Sequence, residues 1–335
     1  MDDNLVHSVA IIGGGSAGTM AALRTVLNND DCIMFPGNAK HRKKSRAFWV
    51  AKVENIPDYA HYKKGIVEPN KHTIEWIHQS PFKDNLTLMK NLGIDSIEKL
   101  PTGLFKLIDN KGNEHLAKYL IVCTGVMDVQ PTINGSIDAI LPYANIQLVD
   151  YCLRCDGHHC HGKNTGVIGH TSDAAWVAIM LSERYSCPSM TIYTHGERPL
   201  FDERTTELIK LYNIQINEKK IIEVLGNPKE NLLTGYEFAD GTISKVEFSF
   251  VSLGMLVYNQ LAVDLGATVD ERGFVITDSK GKTSVDGVFV AGDLRAGIKK
   301  QIYTAWDSAV DSADSINNLL RQERRNDLSV GRDPL

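Results

Sequence analysis

The sequence contains no apolar run approaching the length of a membrane span, and no low-complexity tract or linker stands out within it. Met1–Val6 carries two aspartates where a secretory leader would carry basic and then apolar residues, so no leader is expected. Positive charge is not in surplus: the net charge is -5, which argues against a general nucleic-acid binder. Six cysteines in 335 residues fit a reducing compartment, and the expected location is the cytoplasm. A second Cys-x-x-Cys is missing, so the two ligand pairs of a closed structural zinc site are not provided. What is present, 43% hydrophobic and 23% charged residues, is ordinary globular composition, and the length suggests two domains.

The chain is organised around Tyr151-Cys152-Leu153-Arg154-Cys155-Asp156-Gly157. Two cysteines at this spacing can close a disulfide on the first turn of a helix, where the dipole and exposed N–H groups stabilise a thiolate. Arg154 adds a cation between them, and Asp156 is a carboxylate placed to shuttle a proton. A structural disulfide, or half a zinc site completed from His158, His159, Cys160 and His161, are the alternatives. Redox chemistry leads, and no metal is expected.

Upstream, the strand Val9–Ile12 runs into Gly13-Gly14-Gly15-Ser16-Ala17-Gly18, and helical spacing continues from Thr19 to Leu27. Between a strand and a helix, Gly-x-Gly-x-x-Gly is a dinucleotide fingerprint: it allows a tight turn, close backbone approach to a pyrophosphate and tight helix–strand packing. The second strand, Asp31–Phe35, ends in Pro36-Gly37, without the carboxylate that often binds ribose. Lys40-His41-Arg42-Lys43-Lys44-Ser45-Arg46 is a dense basic run, read as a solvated loop, a phosphate clamp or a dock for an acidic partner. From about Pro131 the pattern restarts: a strand at Thr165–Gly169 and a helix over Ala174–Leu181 indicate a second nucleotide-binding-type domain. Its turn carries Thr171 where glycine must allow close approach, with Asp173 nearby, and no arginine pair follows the strand Met190–Tyr193. The fold signal survives there and the ligand signal does not. Near the end, Thr283–Asp293 reads as a strand closing in Ala291-Gly292-Asp293, followed by a helix from Gln301 to Leu320.

In this order the motifs resemble the thioredoxin reductase family of small flavoprotein disulfide reductases, from Val9 to about Leu320. The resemblance implies an α/β protein of two Rossmann-like three-layer nucleotide-binding domains, the second inserted into the first. An FAD domain would comprise 1–129 and 254–325, a Cys-x-x-Cys domain 130–253, and a tail 326–335. FAD would be bound by Gly13, Gly15, Ser16, Ala17 and Gly18, by Asn55 of Val53-Glu54-Asn55-Ile56-Pro57, and by Thr124 and Gly125. Gly292, Asp293, Gln301 and Ile302 would complete that site. By family roles Cys155 faces the flavin, Cys152 attacks the substrate and Asp156 is the general acid/base. The degenerate second fingerprint, and Arg46 near the place of a family glutamine, point to branches without NADPH. One takes electrons from ferredoxin, one holds a second FAD, and the dithiol oxidases of the gliotoxin type give electrons to oxygen. The reading is an FAD-dependent thiol–disulfide oxidoreductase, NADPH use being unlikely, that passes electrons from ferredoxin or a similar donor to a thioredoxin-like protein or small disulfide. Dithiol oxidation by oxygen is the first alternative, then ordinary NADPH–thioredoxin reduction, then a redox-inert flavin- or zinc-binding protein. A homodimer with no nucleic-acid or membrane partner is expected.

Overall fold

The structure, a computed structural model, describes residues 5–43, 45–50 and 52–330. The chain forms two compact units. The first takes the chain up to Trp49, then Tyr62–Met127, then everything from Val257. The second takes Val50–His61 and Asp128–Leu256.

The sheet of the first unit is built on Val6–Ile12, which pairs in parallel with Cys32–Phe35 on one side and Glu114–Val122 on the other. Val9 faces Cys32 and Ile11 faces Ile121. Leu86–Leu88 extends the parallel edge, while Ile94–Lys99 and Phe105–Asp109 run antiparallel on the far side. Val288–Val290 pairs in parallel with the end of Glu114–Val122, with Val288 opposite Leu120. Cys32–Phe35 is buried along its whole length, as expected of parallel strands covered on both faces. One cover is the helix Ser16–Leu27, which turns Ala17, Ala21, Ala22 and Val26 inward. The helix Ile302–Ser329 packs into the same core through Ala305, Ala309, Ala313 and Ile316, a three-to-four-residue spacing that draws one face. Small side chains let the helices approach, and Arg24 pairs with Asp314 at 2.5 Å. This last helix corrects the expected tail: it runs past Leu320 to Ser329. Gln322, Glu323, Arg324 and Arg325 are good helix formers, and Arg321 is anchored on buried Asp30 at 2.7 Å.

In the second unit Gln215–Asn217, Met190–Tyr193, Thr165–Ile168, Phe248–Val251 and Val149–Asp150 make a five-stranded parallel sheet in that order. The helix Ser172–Arg184 follows its central strand and buries Ala174, Ala175, Ala178 and Ile179. A three-stranded antiparallel sheet, Ile221–Asn227, Leu232–Phe238 and Ile243–Lys245, adds Ile221, Tyr236 and Phe238 to a second core. The segment 50–61, placed by the sequence reading in the first domain, belongs to this unit. No helix among the described residues is long and apolar enough to cross a membrane.

One turn of the first unit carries a measurable stability term. Asp109 is buried in the turn at Asn110–Asn113 and accepts from Lys111 N at 2.8 Å, Asn113 N at 3.1 Å, Asn113 Nδ2 at 2.9 Å and the His115 ring at 3.1 Å. Burial pushes its carboxyl up, but Asn113, His115 and the backbone donors outweigh burial and hold it at about 2. A depressed pKa stabilises the fold above the unfolded value near 4, and the contribution is lost as pH falls through 2. Asp109→Asn is expected to cost about 2 kcal/mol at pH 7, a few degrees in melting temperature. Melts of both proteins should converge near pH 2; an equal gap at both pH values would contradict the assignment.

Candidate active site

In the first unit, three turns converge at the carboxyl ends of the parallel strands, where open α/β sheets bind ligands. Gly13 N donates to Phe35 O at 2.9 Å, Cys123 N to Ile12 O at 2.7 Å and Ala291 N to Val122 O at 3.2 Å, stitching the turns together. The three glycines of the fingerprint are constrained differently. At Gly13, with φ +122°, a Cβ would lie 2.3 Å from Cys123 O. At Gly18 it would lie 1.9 Å from Gly13 O. At Gly15, the residue capping the helix Ser16–Leu27, it would meet nothing within 4 Å. Backbone packing therefore fills two of the positions, and the third opens onto a free cradle at a helix start that no side chain caps. That is the shape a pyrophosphate needs.

The closing motif reaches the same helix. Gly292, at φ +76°, leaves room for Ala17, whose Cβ would be 2.7 Å from an added methyl, and its N–H donates to Ser308 Oγ at 2.9 Å. Asp293 forms an ion pair with Arg46 at 3.6 Å, both side chains largely buried. Gln301 is buried and caps the helix that Ile302 begins, in a reciprocal box with Thr304. Thr124 Oγ1 donates to Tyr258 O at 2.6 Å, and Gly125 takes φ +68°. Ser16, Ala17, Thr124, Gly125, Gly292, Asp293, Gln301 and Ile302 thus share one unit with the glycine turn, whereas Asn55 belongs to the second unit. The basic run is not a plain loop: Ala39–Lys43 is helical, and Arg46 turns inward to Asp293. Lys44 and the side chains of Arg42 and Lys43 lie outside the described residues.

Two features of this unit escaped the sequence reading. One is the Arg46–Asp293 pair, 247 positions apart and invisible to local pattern. The other is Lys300, whose Nζ sits 3.9 Å above the Phe274 ring and donates to Arg295 O at 2.6 Å. Burial lowers its ammonium to about 8, against the pull of Asp293 and Asp270.

In the second unit Cys152 and Cys155 form a disulfide with Cα atoms 5.3 Å apart. Cys152 caps the short helix Leu153–Asp156, and Cys155 N donates to its Sγ at 3.2 Å. Asp156 follows, buried. Cys160, offered by the sequence as a metal ligand, instead donates to Gly157 O at 3.0 Å and lies 3.5 Å from Cys187 Sγ. His159 spends both ring nitrogens on carboxylates, Nδ1 on Asp150 and Nε2 on Glu54, each at 2.7 Å. Burial opposes its charge, but Asp150 and Glu54 prevail and raise it to about 9. The adjacent histidines were visible in sequence; their partner Glu54, more than a hundred positions away, was not.

The turn after the strand Thr165–Ile168 is hydrogen-bonded to the segment Leu200–Asp202. Thr171 caps the helix Ser172–Arg184 and bridges to Leu200, while Leu200 N donates to His170 O at 2.7 Å and Asp202 N to Ser172 Oγ at 2.8 Å. Asp173 occupies the first turn.

A sequence profile described as pyridine nucleotide-disulphide oxidoreductase matches residues 7–313. The thioredoxin reductase of Mycoplasma genitalium is 26% identical over 314 residues, covering 92% of this chain and 93% of that protein. That of Rickettsia felis is 26% identical over 328 residues, covering 95% and 99%. Among solved structures, the thioredoxin reductase of Streptococcus pyogenes superposes with a TM-score of 0.80 at 21% identity, over 95% of this chain and 99% of that one. HlmI gives a TM-score of 0.80 at 18% identity, over 97% and 96%; at these identities the likeness is one of fold. With the glycine cradle and the Cys-x-x-Cys already placed, the chain belongs to the pyridine nucleotide-disulphide oxidoreductase family, as a thioredoxin reductase-like flavoprotein.

Proposed function

We propose that this thiol–disulfide oxidoreductase works without NADPH, moving electrons from a ferredoxin-type protein to the disulfide of a thioredoxin-like protein. The observation that carries the first half is the second glycine turn. Thr171 stands where a pyrophosphate would need bare backbone, and Leu200–Asp202 is hydrogen-bonded to the same turn. The thioredoxin-like substrate is supported by the curated relatives, which are thioredoxin reductases.

FAD, when bound, would supply a two-electron store for the thiol–disulfide chemistry. The Gly15 cradle and the start of the helix Ser16–Leu27 fit its pyrophosphate, and Asp293 and the helix capped by Gln301 are the remaining contacts proposed. In the reduced chain the Cys152 thiolate attacks one sulfur of the substrate disulfide, forming a mixed disulfide and expelling a thiolate. Cys155 then attacks Cys152 Sγ, restoring the internal disulfide and releasing the second thiolate. Asp156, directly after Cys155, is assigned the proton that a departing sulfur takes up.

Anaerobic mixing tests the donor. Reduced ferredoxin is expected to bleach the flavin, and NADPH to do so slowly or not at all. A misfit of about 4 kcal/mol at Thr171 and Asp173 is roughly a thousandfold in affinity. Fast, saturable bleaching by micromolar NADPH would instead make this an ordinary NADPH-dependent reductase, which the names of the relatives favour.

A further inference from the structure

We propose that Glu54, His158 and His159 form a binding site for a divalent zinc-class cation, with Asp150 as the group that orients His159. The three side chains each offer one ligand atom, and these atoms lie within 4.8 Å of one another. Glu54 Oε2 is 3.0 Å from His158 Nε2 and 2.7 Å from His159 Nε2, so both imidazoles hydrogen-bond to one carboxylate oxygen, and a cation would have to take the place of those hydrogen bonds. His159 Nδ1 is 2.7 Å from Asp150 Oδ2, and Asp150 is buried. A carboxylate holding the far nitrogen of an imidazole is the arrangement that fixes tautomer and ring orientation for metal binding.

The two histidines are held by local contacts. His158 and His159 lie in the turn Gly157–Cys160, which is closed by the Cys160 thiol on Gly157 O, and the His159 ring packs edge-on against Phe248 at 6.0 Å. One side is open. The same three residues line a concavity of about 590 Å³ with Lys52, Gln147, Lys163 and Asn231, leaving space for a fourth ligand. Two imidazoles, one carboxylate and an open position suit zinc; magnesium and calcium prefer all-oxygen shells. The sulfurs offered by the sequence are not part of this set, so the proposed site needs no second Cys-x-x-Cys. A bound cation would pin the segment 50–61 to the redox turn. It would also stand beside Asp156, whose carboxylate is within 4.8 Å of His159 and Asp150 ligand atoms.

The test is zinc uptake by the oxidised, full-length flavoprotein. Its closed Cys152–Cys155 disulfide keeps the redox thiols from competing. Calorimetric titration with zinc chloride, and elemental analysis after dialysis, are expected to show one zinc per chain. Glu54→Gln and His158→Gln should abolish saturable uptake, and His158 is exposed enough that its variant folds. Asp150→Asn should weaken binding about tenfold to a hundredfold. His161→Gln, beside the site but outside it, should leave uptake unchanged. Absence of saturable uptake by the parent, or equal uptake by the Glu54 and His158 variants, overturns the site. The readout needs no turnover, so its failure leaves the proposed redox function untouched.

Discussion

Gly15→Val is expected to yield a folded but colourless protein. The residue sits in extended backbone, φ -78° and ψ -166°, which valine adopts readily. A Cβ there meets nothing within 4 Å, so no neighbour has to move. Losing glycine as the cap of the helix Ser16–Leu27 should cost on the order of 1 kcal/mol. The branched side chain would fill the cradle, and FAD affinity should fall at least about a hundredfold, near 3 kcal/mol. The neighbouring glycines provide the contrast. Gly13→Val and Gly18→Val would drive atoms into Cys123 O and Gly13 O, so they should fail to fold rather than fold empty. Flavin absorbance per chain, set beside circular dichroism melts, separates the two outcomes. Full flavin occupancy in folded Gly15→Val would refute the pyrophosphate site.

The parts of this architecture that could be read in advance are those whose cause is local. Gly13 and Gly18 are glycines because backbone lies within 2.3 Å of where a side chain would be, and that constraint is written into two positions of one turn. Cys152 caps a helix three residues before Cys155, so the redox turn is also self-contained. Long-range pairings left no such trace. Glu54 meets His158 and His159 across more than a hundred residues, and that contact helps hold segment 50–61 in the second unit. Nothing in the polarity of Val53–Pro57 announces it. The place of Arg46 near a family glutamine was legible, but its pairing with Asp293, far along the chain, was not. The helix Ile302–Ser329 outran its expected end because apolar spacing fades after Leu320 while helix propensity and the Arg321–Asp30 pair persist.

Serine at either redox cysteine is expected to lower disulfide turnover at least about a thousandfold, yet the two variants should behave differently. Cys152 is the capping residue, and its sulfur accepts the N–H of Cys155 at 3.2 Å. In the opened dithiol that donor is available to a thiolate on Cys152, which should lower its pKa and populate the attacking species at neutral pH. Cys155, one turn further into a four-residue helix, has no comparable capping position. Cys155→Ser should therefore trap a stable mixed disulfide with an aromatic disulfide probe, and its Cys152 should alkylate about tenfold faster at pH 7 than Cys155 does in Cys152→Ser. The other four cysteines set the background. Cys32, Cys123 and Cys160 are buried, and burial raises the Cys123 thiol to about 12, so they should stay silent. Cys187 is half-buried, and the comparison is best made with Cys187→Ser in all three proteins. Peptide mapping then identifies the labelled sulfur. If the adduct formed on Cys155 in Cys152→Ser and not on Cys152 in Cys155→Ser, Cys155 would be the attacking sulfur, and the hydrogen bond to Cys152 Sγ would be structural only.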